Sequence, residues 1–370
     1  MILRSIALTN FKNISSAALE FSPKVNCLLG NNGMGKSNLL DAIHYLSFTK
    51  SFARLSDTML IKRGEDFAIL QGKYLRNDAE EEISAGLRAG RRKSFRRGGK
   101  DYKRLSSHIG LLPAVMVAPA DLSLVTDGPD ERRRFIDMII SQSDAPYLEA
   151  LIRYEQALEQ RNKMLRDEVS DAVLYESVEL MLDMAASIIT CRRREFIAEL
   201  GEIFKRYYAE IAGEDEEVTM EYMQSGVEGG SLADALQHSR MRDTYLKHTT
   251  VGPHRDDVLF SLMGMSVKQT ASQGQTKTFT IALRLAQYDF LHRSKGMKPL
   301  LLLDDIFDKL DARRVERIIN IVGRDEFGQI FITDTNRKHL DEIMHRSGPD
   351  FKIWVVEDGN YTLLCNNETD

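Results

Sequence analysis

Cysteine is scarce in this chain of 370 residues. There are three, Cys27, Cys191 and Cys365, and none falls in a CxxC or Cys/His spacing. That excludes a disulfide framework and a cysteine zinc site. No apolar run approaches the roughly 18 residues that a membrane span needs; the longest, Ile109 to Pro119, is interrupted by Pro113. The N-terminus, MILRSIALTNF, lacks the apolar core of a signal peptide. Internal repeats and low-complexity stretches are missing as well. Secreted, membrane-spanning and collagen-like classes fall away, and a cytoplasmic enzyme or binding protein is expected. Proline is rare, and none lies between Pro146 and Pro253, which leaves room for long helices.

An overall positive charge is also missing: the formal net charge is −5. The average hides one segment. From Arg91 to Arg104 the chain carries Arg91, Arg92, Lys93, Arg96, Arg97, Lys100, Lys103 and Arg104 against the single acid Asp101.

With 43% hydrophobic residues, the chain can bury a large core, and its length suggests about two domains. Short apolar runs predict strands at Ile2–Leu8, Val25–Leu29, Phe67–Leu75, Glu82–Leu87 and Ala114–Val117, with a helix over Asn38–Ser47. The middle reads as amphipathic helices. Leu151, Leu158 and Leu165 recur every seven residues, and Val178, Met181, Ala185 and Ile188 recur at helical spacing. So do Phe196, Leu200, Ile203 and Tyr207, while Arg192, Arg193 and Arg194 read as a solvated flank. Helices are expected again at Gln275–His292 and Ala312–Val322, and strands at Pro299–Leu303, Gln329–Thr333 and Asp350–Val356. The class is α/β: one sheet domain built from both termini, with the helical middle inserted.

The strongest motif is GNNGMGKS, Gly30 to Ser37, between an apolar strand and a helix. Gly30, Gly33 and Gly35 let backbone wrap closely around phosphate, with Asn31, Asn32, Met34 and Asn38 completing the cradle. Backbone N–H groups and the helix N-terminus supply positive charge. Lys36 would reach the β and γ phosphates, and the Ser37 hydroxyl would coordinate magnesium. The second motif is PLLLLDDIFDKLD, where four leucines form a buried strand ending in Asp304 and Asp305. Paired carboxylates there need a cation. Asp304 is expected to hold the metal through water, and Asp305 to orient or deprotonate the attacking water. The two motifs lie at opposite ends of the chain, so the middle separates two halves of one ATP site.

A third motif, ASQGQTKT, opens the helix shortly before the acidic strand. Its Ser272, Gly274 and Gln275 form either an N-capped start or an anion site for the nucleotide of another subunit. In VGPHRDD, His254 and Arg255 sit in a turn, with Asp256 and Asp257 available to pair with Arg255; the alternative is a place near the ATP interface.

A GxNGxGKS loop, a distant LSGGQ-like signature and a DD-ended strand resemble the ABC-type ATPase heads of SMC proteins. Within that group the chain resembles the RecF family through LTNFKNI, GNNGMGKSNLLDAIHYLS, APADLSLVTDGPDERRRFID and VGPHRDD, in that order. The resemblance implies an ABC-type head from residues 1–125 and 246–370, with an inserted, mostly helical lobe at 126–245. It implies that Lys12 reaches phosphate, that Ser272 and Gly274 contact the γ-phosphate of a partner's ATP, and that Asp311 crosses the dimer interface. Thr333 would stand where transporters keep a switch histidine, and this, with Asp305 where relatives carry glutamate, implies slow hydrolysis. Gln71 is a candidate for the Q-loop, or simply a strand residue. The family implies ATP-driven homodimerisation, binding at gaps and duplex junctions, cooperation with RecR and RecO, and loading of RecA.

The basic segment at 91–104, with Phe95 and Tyr102 interleaved, is a solvated hairpin or a surface for duplex DNA. It would bind phosphates without reading bases. Lys62, Arg63 and Arg132 to Arg134 are weaker candidates; the triplet follows Pro129 at a helix start, where the dipole disfavours it unless an acidic contact compensates. Two rivals remain open: an ABC-type scaffold that assembles protein partners without touching DNA, and a monomeric phosphate-transfer enzyme with no use for Ser272.

Overall fold

The computed structural model describes residues 1–226, 230–308, 310–335 and 350–367, with 365–367 described by backbone alone. The chain opens with β1 (Ile2–Phe11), β2 (Ile14–Glu20), β3 (Val25–Leu29) and α1 (Lys36–Phe48). Next come β4 (Phe67–Arg76), β5 (Ala79–Arg88), β6 (Ser94–Arg97), β7 (Lys100–Asp101) and β8 (Ala114–Val117). Helices α2 (Ser123–Thr126), α3 (Pro129–Ser143), α4 (Ala145–Arg166) and α5 (Ala172–Ala212) follow. After them run β9 (Val218–Met223), α6 (Leu232–Leu246), β10 (Asp257–Leu262), β11 (Met265–Ser266) and α7 (Val267–Thr270). The last stretch carries α8 (Gln273–Lys295), β12 (Leu300–Asp304), α9 (Ala312–Val322), β13 (Ile330–Asp334), β14 (Phe351–Glu357) and β15 (Asn360–Asn367).

The chain divides into two compact units, one of Met1–Leu122, Glu210–Ala212 and Gln273–Asp370, the other of Ser123–Ala209 and Gly213–Ser272. The first unit, built from both termini, holds two six-stranded sheets. In one, ordered β15-β14-β3-β13-β12-β8, every pairing is parallel except that of β14 with β15. Its β8, β12 and β13 are buried at every position, which is why they read as unbroken apolar runs. The other, ordered β2-β1-β4-β5-β6-β7, is antiparallel throughout. Strand β4 alternates buried and exposed residues there, the pattern of a sheet with one solvated face.

In the second unit, α5 buries Tyr175, Val178, Leu182, Ala185 and Ile189. Met181 and Ile188, expected in the core stripe, are exposed. The helix is apolar around more than one face, so spacing alone leaves its phase one residue open. On α4 the buried stripe is Tyr147, Ala150, Tyr154, Ala157, Arg161 and Leu165, while Leu151 and Leu158 lie at its margin. Arg161 is fully buried among acceptors: Glu179 at 3.0 Å, Asp243 at 2.7 Å, the Thr249 hydroxyl at 2.9 Å and the Leu236 carbonyl at 3.2 Å. Arg193, expected in a solvated flank, is also buried; it bonds both carboxylate oxygens of Asp137 and reaches Asp256 and the Pro253 carbonyl. Since Asp256 pairs with Arg193 and Asp257 with Arg132, Arg255 turns to the Thr249 carbonyl. This unit also contains a small antiparallel sheet, β11-β10-β9, and reaches Ser272 instead of residue 245 because β10 pairs along the whole of β9.

Among the described residues, no helix is long and apolar enough to cross a membrane. Cys27 is buried and Cys191 exposed, and neither is in a disulfide; Cys365 lies outside the described side chains.

Candidate functional site

The parallel strands β3, β12 and β13 lie side by side and point the same way. Their C-terminal ends therefore gather three segments at one edge, the usual location of a ligand in such sheets. From β3 the chain enters residues 30–35 and then α1. Gly33 and Gly35 have φ of 83° and 112°, left-handed values that side-chain-bearing residues rarely adopt. The first turn of α1 has neither an acidic residue nor a side-chain cap, so its free N–H groups offer positive charge outward. Lys36 is buried, with Nζ donating to the carbonyls of Gly30 at 2.6 Å and Asn31 at 3.1 Å.

Ser37 points at the acidic strand. Its hydroxyl donates to Oδ1 of Asp304 at 2.7 Å. On the neighbouring strand Thr333, which pairs with Asp304 in register, donates to the same oxygen at 2.7 Å. Burial pushes the Asp304 carboxyl above the usual carboxylate range, while both hydroxyls and the charges of Lys36 and Lys12 pull it back. Asp305 follows in a left-handed conformation, φ 46°, with its N–H donating to the Thr333 hydroxyl at 3.0 Å. Burial raises this carboxyl too; Lys36 opposes the rise, and Asp304, Asp334 and Asp308 add to it. Thr333 thus has its donor spent on Asp304 and accepts from Asp305, so it positions both carboxylates.

Lys12 also takes a left-handed turn, φ 51°, and its ammonium pairs with Asp41 of α1 at 2.7 Å. Its neighbour Asn13 accepts from Asn38 at 2.7 Å and donates to the Met34 carbonyl at 3.3 Å. The C-terminal hairpin adds two contacts that sequence reasoning missed: Gly359 N–H donates to the Met34 carbonyl at 2.8 Å, and the Tyr361 hydroxyl to the Gly35 carbonyl at 2.9 Å. The Asp358-Gly359 turn signal was available in the sequence, but nothing local linked it to the phosphate loop.

The donors suit a hard cation shared with phosphate: one serine hydroxyl and carboxylate oxygens, with no soft ligand. Among the described residues no cluster of three or more His, Cys, Asp or Glu is arranged to hold a metal by itself.

Other expected residues gather elsewhere. Ser272 is exposed just before α8, with Gly274 and Gln275 in the first turn of that helix. A Cβ on Gly274 would stand 3.0 Å from Nη1 of Arg314. Asp311 caps α9 by accepting from the Arg314 N–H at 3.0 Å and pairs with the Arg314 guanidinium. Lys277 of α8 bonds the Asp308 carbonyl, tying this helix to the loop after the acidic strand. Gln71 lies within β4 and bonds Glu82 at 2.9 Å, as a strand residue does.

The basic segment forms the β6–β7 hairpin at the edge of the antiparallel sheet. Arg91, Arg92, Lys100, Lys103 and Arg104 are exposed. Arg96 and Arg97 are exposed but paired with Asp101 and Glu81, weak bonds that a stronger anion can displace. Lys93 is turned inward to the Tyr45 hydroxyl, the Thr49 carbonyl and Asp57. Phe95 is buried against Tyr45, Tyr102 and His108, so it is core and not a stacking platform. Lys62 bonds the Ser15 hydroxyl. Arg132 grips Asp257 through two bonds of 2.7 and 3.0 Å, the acidic contact its place on α3 called for. Arg133 and Arg134 bond Asp130 and Glu131. His254 bridges the Tyr154 hydroxyl and the Thr249 carbonyl, its imidazole lowered to about 4 by burial, so it is a neutral structural link.

A model of the family described as RecF/RecN/SMC N terminal domain matches residues 2–351. DNA replication and repair protein RecF of Parabacteroides distasonis is 50% identical, over 97% of this chain and 98% of that protein. A structure described as the recombination mediator protein RecF-ATP in the RecFOR pathway superposes with a TM-score of 0.88 and 28% identity, covering 98% of both chains. The Smc head domain of Pyrococcus furiosus, at 17% identity and a TM-score of 0.58, covers 98% of this chain and 96% of that one and shares the fold.

Proposed function

The chain belongs to the RecF family of DNA replication and repair proteins, within the RecF/RecN/SMC group of ATPases, and from that membership we propose that it is an ATP-switched clamp on DNA. ATP drives head-to-tail dimerisation, with each nucleotide between Lys36 of one subunit and Ser272 of its partner. The dimer holds duplex or gapped DNA by its backbone, and slow hydrolysis releases it. In this reading the protein works with RecR and RecO to load RecA, in the cytoplasm.

The observation that carries the reading is the bond from Ser37 to Asp304, which joins phosphate loop and acidic strand in one site. Magnesium, when bound, neutralises charge on the β and γ phosphates. The N–H groups of residues 33–37 take the phosphate oxygens, and Lys36 leaves the Gly30 and Asn31 carbonyls for the γ-phosphate. Ser37 would supply a ligand oxygen to the metal, and Asp304 would hold it through water. Asp305, raised above the usual carboxylate range, accepts the proton of the attacking water as the bond from γ-phosphorus to its bridging oxygen breaks. ATP as the nucleotide is supported by the RecF relative described with it.

Sedimentation velocity with and without ATP and magnesium tests the proposal on wild type, Lys36→Ala and Ser272→Arg, each with and without a short duplex. Only wild type is expected to dimerise, and only its dimer to bind duplex with steep salt dependence. A wild type that stays monomeric with ATP bound overturns the trans-acting arrangement. ATP dimers that ignore duplex point instead to a scaffold for protein partners.

A further inference from the structure

A phosphate cradle made of backbone amides works only if the N–H groups face the anion and the carbonyls face away. Each peptide unit carries both, so turning one carbonyl inward also removes an N–H and places a negative dipole against phosphate. Glycine makes such rotation easy, and Gly33 and Gly35, both at positive φ, flank Met34. The Gly35 carbonyl starts the hydrogen bonding of α1, accepting from Asn38 and Leu39 N–H groups. The Met34 carbonyl lies one residue before the helix, and the bonds that hold it come from elsewhere: Gly359 N–H at 2.8 Å and the Asn13 amide at 3.3 Å.

We propose that the turn of the β14–β15 hairpin, with Asn13, is a clamp that sets the direction of the phosphate loop, and that Asn13 and Tyr361 are positioning residues for nucleotide. Three observations converge on it. The hairpin is pinned where it must be, because β14 runs beside β3 up to the pair Val355–Leu29. The fit there leaves no slack: a Cβ on Gly30 would stand 2.4 Å from the Val356 carbonyl, and one on Gly359 would stand 2.7 Å from the Asn13 carbonyl. The turn is a tight two-residue one, with Asp358 and Gly359 at φ of 48° and 78°, which aims the Gly359 N–H at Met34 without a flexible loop. Tyr361 then closes the clamp, donating to the Gly35 carbonyl and so fixing the 35–36 peptide whose N–H belongs to Lys36.

The inference rests on the reading that residues 30–37 bind nucleotide phosphate, and its test separates the two. Affinity for ATP, ADP and adenosine is measured on the full chain by titration calorimetry, for wild type, Tyr361→Phe, Asn13→Ala, Gly359→Ala and Lys36→Ala, beside thermal melts without nucleotide. With the clamp, Tyr361→Phe weakens ATP and ADP roughly three- to tenfold, as removal of one hydrogen bond does, and Asn13→Ala, which removes two, weakens them at least as much. Adenosine binding and the melts stay close to wild type, a pattern that general loosening of the fold does not give. Gly359→Ala, whose Cβ pushes the turn from Asn13, costs more than either. If Lys36→Ala abolishes binding while all three clamp variants bind ATP as wild type does, the clamp is wrong and the phosphate reading stands. If Lys36→Ala binds ATP as wild type does, the phosphate reading itself is wrong.

Discussion

The hydroxyls of Ser37 and Thr333 donate to the same oxygen, Oδ1 of Asp304, each at 2.7 Å. One carboxylate oxygen is thereby fixed from the phosphate-loop helix and from the neighbouring strand, while Thr333 also accepts from the Asp305 N–H at 3.0 Å. Removing the threonine hydroxyl releases both aspartates at once. Thr333→Val is expected to slow ATP hydrolysis at least tenfold, and to cost about 1–3 kcal/mol of stability through unpaired buried groups. Thr333→Ser restores most of both. Steady-state turnover beside urea unfolding checks this; a valine variant with wild-type turnover removes the positioning role.

The two carboxyls make hydrolysis acid-sensitive in a defined sense. Both are raised above their ordinary value of 3.8, chiefly by burial. Asp305 accepts a proton only when ionised, so the rate falls as pH drops through the pKa of this carboxyl. Stability moves the other way: a raised carboxyl contributes stability below its unfolded pKa, and that is lost as pH rises through the folded one. The acid limb of the rate profile checks this, and Asp305→Asn removes the Asp305 limb.

Three buried imidazoles give the opposite trend in stability. His44, His108 and His254 are each lowered from 6.5 to about 4, mainly by burial. The unfolded chain takes up protons below 6.5 that the folded chain refuses until about 4, so stability falls as pH drops through that window. Each contributes up to about 3 kcal/mol. Urea midpoints are expected to decline steadily from pH 7 to 4, and His108→Gln to flatten part of the decline. An unchanged slope in that variant counts against the assignment.

Arg161 is a point of failure for the helical unit. Its removal leaves Glu179 and Asp243 buried without their central cation, a loss of roughly 3–5 kcal/mol. Arg161→Ala is expected to lower the melting temperature strongly. An exposed control, Arg153→Ala, should leave it unchanged.

For DNA, the structure sorts the basic segment into two groups with different expected behaviour. Replacing exposed Arg91, Arg92, Lys100, Lys103 and Arg104 with glutamine should reduce the salt slope of duplex binding by about 0.9 for each phosphate that is no longer neutralised. Lys93→Ala, which breaks inward bonds to Tyr45, Thr49 and Asp57, should lower stability and leave that slope alone. Binding isotherms at several salt concentrations distinguish them; unchanged slopes in the first group locate DNA elsewhere.

Much of the site is readable from sequence because its chemistry is local. Gly30 to Ser37 and the run ending in Asp304 and Asp305 carry their own strand context, and residue type fixes what they can do. What escaped was set by distance along the chain. The Met34 carbonyl is held by Gly359, and no spacing rule connects them. The phase of α5 slipped because Met181 and Leu182 are equally apolar, and only packing chooses between them. Arg193 read as surface charge because its acidic partners, Asp137 and Asp256, lie on another helix and in a turn. The antiparallel sheet was visible as strands, yet nothing in β1 or β4 said that they would leave the parallel sheet for their own.

The order of the parallel sheet has a consequence for synthesis of the protein. Strand β3, which leads into the phosphate loop, leaves the ribosome long before its two neighbours, β13 and β14, which start at Ile330 and Phe351. Throughout most of translation β3 therefore has both edges unpaired, the condition in which strands join wrong partners. Prematurely terminated chains would carry the whole Gly30–Ser37 motif and still lack the sheet that gives it shape.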